Sequence, residues 1–353
     1  MSFVSTQKVG FLLLTVCVLV LFGCANPTGV VERTVQEKIV WPPAPQEARI
    51  EWVRDINILQ DSSSGQSFWG QLKEFFVGPQ VTAIVRPYGV ATDFGDRLFI
   101  ADTGASLVHV YDMKTTSYEM IEGTSEVPLQ TPIAMAYAGN DELFITDSSQ
   151  GTVLRYNLKE KKLQPLMPYR LQRPTGIAYS WCTKLLFVTD TAAHQVVAFD
   201  RNGIEKFRIG SRGTGEGQFN YPTDIWVDKV GQVYVTDALN ARIQRFSVEG
   251  GFIDSFGQPG DTPGSFAKPK GIAVDPAGHI YVCDALFDAV QIFDAEGHLL
   301  MTFGDNGNRS GQFWMPSGIF ADRKGFIYVA DTYNRRIQIF RHVNCTMNHD
   351  CSR

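Results

Sequence analysis

The chain has little of what several protein classes depend on. Of 353 residues only six are cysteine, too few and too scattered for a fold built on disulfides. Basic charge is not in excess. Thirty-two Lys and Arg stand against 37 Asp and Glu, a formal net charge of −5, so the positive face that nucleic acid requires is lacking. The one long apolar run, Val9–Phe22, is too short for a helix crossing the roughly 30 Å hydrocarbon core of a bilayer. Helical periodicity is almost absent; the exception is 68–77, where Trp69, Leu72, Phe75 and Phe76 share one face and predict a short helix packed on the outside of the main domain. With 44% hydrophobic and 20% charged residues, the composition is that of a globular protein, not a disordered one.

The N-terminus carries an address. Lys8 precedes the apolar run, which has the length of a signal-peptide h-region, and Leu21-Phe22-Gly23-Cys24 follows. These four residues resemble a bacterial lipobox, although Phe22 is bulkier than the residue usual there. The resemblance implies a signal peptide over 1–23 and lipidation of Cys24, whose acyl chains anchor the protein to a membrane. Ala25, where inner-membrane lipoproteins commonly carry Asp, implies the outer membrane, with the protein facing the periplasm. Residues 24–48 are polar, with Pro27, Pro42, Pro43 and Pro45, and read as a semi-extended tether.

What the chain does have is repetition. Six segments begin at Pro87, Pro132, Pro174, Pro222, Pro269 and Pro316, spaced 45, 42, 48, 47 and 47 residues apart. PKGIAVDPAGHIYVCDALFDAVQIFD, from Pro269, is typical. Each segment predicts a small, β-branched first strand such as Gly271–Asp275, a second such as Ile280–Cys283 and a third ending in an aromatic, such as Ala289–Phe293. A fourth strand follows in most segments, as in His298–Phe303, and Gly, Asp and Asn punctuate the turns. Four antiparallel strands recurring at this period are the sequence signature of a β-propeller blade. The pattern P-x-G-I-A-V-D, Y-V-[AT]-D, R-[IV]-Q-x-F resembles the NHL repeat, most closely in the last three segments. The chain is therefore expected to be all-β, a six-bladed propeller over 49–341 with a tail over 342–353. No fourth strand follows Phe340 in sequence, so Arg49–Ile56 is expected to supply it and close the ring, covering an edge that would otherwise invite pairing with other chains.

The residues that bear chemistry read mostly as structural. Asp102, Asp147, Asp190, Asp237, Asp284 and Asp331 occupy one place in every repeat. Catalytic groups are singular, so these are expected to be turn carboxylates that accept backbone N–H groups. The glycine-rich runs at Gly210–Gly217, Gly257–Gly264 and Gly304–Gly311 precede strands, not helices, which excludes a phosphate loop. Among enzymes with the propeller architecture that the resemblance implies, peptide-amidating lyases place metal-binding histidines directly after the blade proline. Here Tyr88, Ile133, Thr175, Thr223, Lys270 and Ser317 stand there, and no set matches the calcium site of gluconolactonase-like propellers. His109, His194, His279 and His298 show no paired spacing. No catalytic residue, metal or cofactor is expected. Cys345 and Cys351 are placed to form a disulfide across the tail in an oxidising compartment.

One asymmetry points to binding. Arg86, Arg173, Lys268 and Lys270 flank blade prolines, where they should ring one mouth of the channel, with Tyr88, Tyr221 and Trp314 adding aromatic surface. Such a mouth suits an anionic ligand or an acidic peptide. The expected function is thus a non-enzymatic scaffold lipoprotein that holds a protein partner of the envelope and takes no nucleic acid. The alternative is a hydrolase or lyase of the NHL or lactonase type with a channel site.

Overall fold

A computed structural model of the chain describes residues 38–60, 81–93 and 95–343. Cys24, the signal peptide expected over 1–23, the helix expected over 68–77, Cys345 and Cys351 lie outside the described residues.

Six antiparallel sheets follow one another along the chain. In the first, Pro87–Thr92, Arg97–Asp102, Leu107–Asp112 and Tyr118–Ile121 pair in sequence order. The inner strands, the first of each sheet, touch in a closed cycle, the one from Pro316 returning to the one from Pro87. This is a six-bladed β-propeller.

The inner strand begins at the blade proline itself, two residues earlier than expected at Gly271. Proline has no N–H to donate, and here its partner is the turn aspartate (Pro269 opposite Asp284), with a bulge before the ladder resumes at Ile272. The glycine in P-x-G is fixed by crowding at the axis. A Cβ on Gly89 would lie 2.2 Å from the Ile133 carbonyl oxygen of the next blade, and one on Gly318 would lie 2.4 Å from that of Tyr88.

Hydroxyls tie neighbouring inner strands together. Thr175 Oγ1 donates to the Thr223 carbonyl at 2.8 Å, and Ser317 Oγ donates to that of Tyr88 at 2.8 Å. Phe99, Phe144, Phe187, Phe199, Phe246, Phe293 and Phe340 are fully buried in the sheets and between them, each burial stabilising the fold by roughly 1.5–3 kcal/mol.

The ring closes as the sequence implied. Ile50–Ile56 pairs with Arg336–His342 as the outer strand of blade 6, clamped by Arg336 Nη1 to Asp55 at 2.9 Å. Within the segment expected to be a tether, Val40–Trp41 instead adds a fifth strand to this sheet. The Trp41 ring packs 5.8 Å from Phe303 and 5.7 Å from Phe340, so this part of the proline-bearing segment is docked. A further ribbon, Ile58–Gln60 with Val81–Ala83, leads into blade 1.

Candidate functional site

The six repeated aspartates build the proline-side mouth. All are fully or almost fully buried, and each accepts backbone N–H groups from the loop entering its own blade. Asp102 accepts from Arg86 at 2.9 Å, Asp190 from Arg173 at 2.8 Å, Asp284 from Lys268 at 2.9 Å and Asp331 from Trp314 at 2.8 Å. Asp147 and Asp237 hold Gln130 and Asn220 in the same way. Arg86, Arg173, Lys268 and Trp314, four of the residues expected around the mouth, are therefore set there by their backbone, with side chains left to project. Burial pushes the Asp102 carboxyl up, but the His109 hydrogen bond and N–H groups of Val85, Arg86 and Ala105 outweigh it and hold the group at about 2.

Within the channel, two long side chains stand where Thr or Ser bridges other blades. Lys270 of blade 5 places its ammonium 5.3 Å from the centre of the Tyr88 ring of blade 1. Blade 6 lies between these two, and its small Ser317 leaves the path open, so the contact crosses the lumen. Burial and the nearby Lys268 ammonium lower the Lys270 pKa. Burial and the Asp224 carboxylate push the Tyr88 hydroxyl to about 12, against the Arg173 guanidinium. The structure thus brings Tyr88, Arg173, Lys268 and Lys270 into one electrostatic neighbourhood. Arg86 is exposed on the same face, with no direct contact to this group. None of the four cations has a carboxylate partner among the described residues.

Sequence reasoning missed Asp224. It stands in blade 4 where four other blades have glycine, and that departure from the repeat is the signal that marks it. Its Oδ2 accepts the Ile272 N–H of blade 5 at 3.0 Å. Burial raises its carboxyl to about 7, only partly offset by the N–H groups of Ile272 and Ile225. Nearer the far end, Trp226 and Phe320 meet with ring centres 5.2 Å apart across the alanine of blade 5, Ala273, so this half of the lumen is aromatic.

An apolar arc flanks the mouth. Tyr221 and Trp314 precede blade prolines and are 38% and 50% exposed, as are Leu239, Leu286 and Tyr333, at 63%, 59% and 49%, in turns after the second strand. Those turns bond to the proline loops, Leu239 N to Asn220 O and Tyr333 N to Trp314 O, so loops and turns form one surface over blades 4 to 6. The last three residues were not anticipated; they recur two places after the repeated aspartate. A shallow depression of about 360 Å³ beside Ala105–Leu107 and Glu122–Thr124 lies over blades 1 and 2 on the same face and is lined by no cation or aromatic side chain.

Two family models match the chain, one described as a 6-bladed beta-propeller over residues 171–255 and the NHL repeat over 266–288 and 313–340. NHL repeat-containing protein 3 of Mus musculus is 30% identical over 204 residues, covering 52% of this chain and 56% of the relative, so the chain spans about half of that protein. An auxiliary nutrient binding protein from Bacteroides thetaiotaomicron superposes with a TM-score of 0.60 at 15% identity, over 73% of this chain and 69% of the other. Virginiamycin B lyase from Staphylococcus aureus does so with a TM-score of 0.54 at 14% identity, over 74% and 96%. At these identities the two structures share the fold with this chain.

Proposed function

We propose that this six-bladed propeller of NHL repeats is a non-enzymatic binding protein of the bacterial envelope. It is anchored through lipidated Cys24 to the outer membrane, faces the periplasm, and holds a protein partner at its proline-side mouth. The observation that carries this reading is the set of cations around the channel, Arg173, Lys268 and Lys270, without carboxylate partners among the described residues and beside the exposed arc of Tyr221, Leu239, Leu286, Trp314 and Tyr333. Cations and aromatic side chains side by side suit an acidic peptide segment that also carries apolar residues, because each class of contact has its complement on one surface. The lipobox residues at 21–24 support the anchor, and the nutrient-binding neighbour gives precedent for a binding role on this fold.

Replacing Arg86, Arg173 and Lys270 with Ala is expected to weaken partner capture from native membranes at low salt while the melting temperature stays nearly unchanged. The loss should shrink as salt rises, because screening shortens the reach of the charges to about 8 Å at physiological ionic strength. Equal capture by wild type and variant at both salt concentrations refutes the cationic mouth. Replacing Cys24 with Ser is expected to move the protein out of the membrane fraction.

One observation favours a second reading. Asp224, with a carboxyl at about 7, has the poise of an acid–base catalyst. The inner strands offer it Tyr88 and Lys270 but neither His nor Glu. Hydrolysis of a lactone or ester panel that disappears in Asp224→Asn would move the assignment to an enzyme.

A further inference from the structure

A second cluster lies at the opposite end of the propeller, where blade 5 meets blade 6. Asp275 opens the turn between the first two strands of blade 5. Its Oδ1 accepts the N–H groups of Ala277 at 2.8 Å and His279 at 3.0 Å, which fixes the carboxylate and aims Oδ2 across the blade boundary. Oδ2 lies 2.8 Å from His279 Nδ1 and 3.6 Å from Nε2 of His342, the last residue of the third strand of blade 6. The two imidazole rings are stacked 5.7 Å apart at 26°, and one ligand atom from each of the three side chains falls within 4.8 Å of the others. The Tyr281 hydroxyl donates to Asp275 Oδ2 at 3.0 Å and contacts His342 Nε2.

The repeats show what is unusual here. The same turn in blade 1 pairs Asp93 with Arg97, and in blade 4 Asp228 bonds the Gln232 backbone. Between blades 2 and 3 the equivalent boundary is a Glu142–Arg201 ion pair. Among the described residues, only where His279 meets His342 do two imidazoles face one carboxylate. In place of a guanidinium, this boundary has three lone-pair donors converging from two blades. Ligand atoms on a tetrahedral zinc lie about 3.3 Å apart, given metal–ligand bonds of about 2.0–2.1 Å, and the observed 2.8 and 3.6 Å bracket that value.

We propose that Asp275, His279 and His342 form a binding site for a divalent transition-metal ion of the zinc class, which staples blade 5 to the blade that closes the ring. Two nitrogens and one carboxylate oxygen select such an ion over magnesium or calcium. Bound only by the folded chain, it stabilises the ring by mass action.

The test is calorimetric titration of the purified, chelator-treated full chain with Zn²⁺, and with Mg²⁺ in parallel, together with melting curves. One Zn²⁺ per chain and a raised melting temperature are expected, with no response to Mg²⁺. His279→Gln and His342→Gln should each weaken Zn²⁺ by more than about 100-fold, with circular dichroism unchanged. Two controls should keep wild-type affinity: His298→Gln, which disables the exposed Asp294–Glu296–His298 turn, and Cys345→Ser/Cys351→Ser in the tail. No Zn²⁺ binding, binding that survives both imidazole variants, or binding lost only in a control overturns the proposal.

Discussion

Blades 4 to 6 and blades 1 to 3 share one strand plan but hold their connecting loops by different physics. In blades 4 to 6 the third strand carries a buried glutamine, Gln244, Gln291 or Gln338, which reaches the glycine-rich loop entering its own blade. Gln291 accepts the Gly264 N–H at 2.7 Å and donates to the Ser265 carbonyl at 2.8 Å; Gln338 accepts the Gly311 N–H at 2.8 Å, and Gln244 does the same for Gly217 at 3.0 Å. The glycine opening each loop lets a fully buried phenylalanine fold beneath it, as a Cβ on Gly257 would lie 2.3 Å from the Phe266 ring. In blades 1 to 3 the same strand position holds His109, Leu154 and Val197. His109 bonds Asp102 and Tyr118 at 3.2 and 2.8 Å, whereas Leu154 and Val197 pack as hydrocarbon. Hydroxyls of Thr146, Ser148 and Thr175 reach carbonyls of the next blade, as those of Thr223 and Ser317 do in blades 4 and 6, so this tie is common to both halves. A polar lock demands a fixed loop sequence and therefore looks regular; an apolar one tolerates variation. The exposed arc of Tyr221, Leu239, Leu286, Trp314 and Tyr333 sits on the regular half, whose loops these hydrogen bonds hold.

The largest difference should appear at the seam of the two halves. Removing residues 1–37 is expected to leave a cooperative melting transition, while removing 1–56 strips blade 6 of Ile50–Ile56 and the Trp41 packing and should abolish the transition. If both truncations melt alike, the ring closes by some other strand.

Gln291→Leu should cost about 2–3 kcal/mol, because it leaves the Gly264 N–H and Ser265 carbonyl buried without partners. Val197→Leu, at the same position of blade 3, adds only one methylene and should cost less, about 1 kcal/mol. Denaturant unfolding of the two variants compares them, and equal losses would dissolve the distinction between polar and apolar locks.

A smaller effect separates Asp224 from the glycines of the other inner strands. Its folded pKa of about 7 exceeds the ordinary 3.8, so the native state holds its proton more tightly than the unfolded chain does. The associated stability is fully present below about pH 4 and is lost as pH rises through 7. The shift corresponds to about 4 kcal/mol, reduced to roughly 2 by partial solvent access. Asp224→Asn should therefore gain on wild type in melting temperature between pH 4 and pH 8. Parallel curves would mean that Asp224 is ionised in the folded channel at ordinary cost.

The fold was legible because its constraints are local and recur: a proline starting each inner strand, an aspartate pinning each loop, an aromatic ending each third strand. The closing strand could be read for the same reason, since one blade was short of a strand and one strand pattern was left over. Val40–Trp41 was not legible. Two residues among prolines carry no strand periodicity, and only the pocket formed by Phe303 and Phe340 gives Trp41 a place. Contacts across the ring were equally hidden. Lys270 meets Tyr88, and His279 meets His342, because of where their blades stand around the axis, which spacing along the chain does not reveal. Asp224, Leu239, Leu286 and Tyr333 were within reach of sequence, but only by comparing each repeat position with its five equivalents.

The most direct measurement is site-specific photocrosslinking in the native envelope. One probe replaces Trp314, on the mouth arc, and another replaces Val230, 74% exposed on the opposite face. A discrete adduct from position 314, weakened by Lys268→Ala and Lys270→Ala at low salt, together with no adduct from position 230, is the expected result. The same partner captured from position 230 and not from 314 would place binding on the far face and contradict the assignment of the cationic mouth.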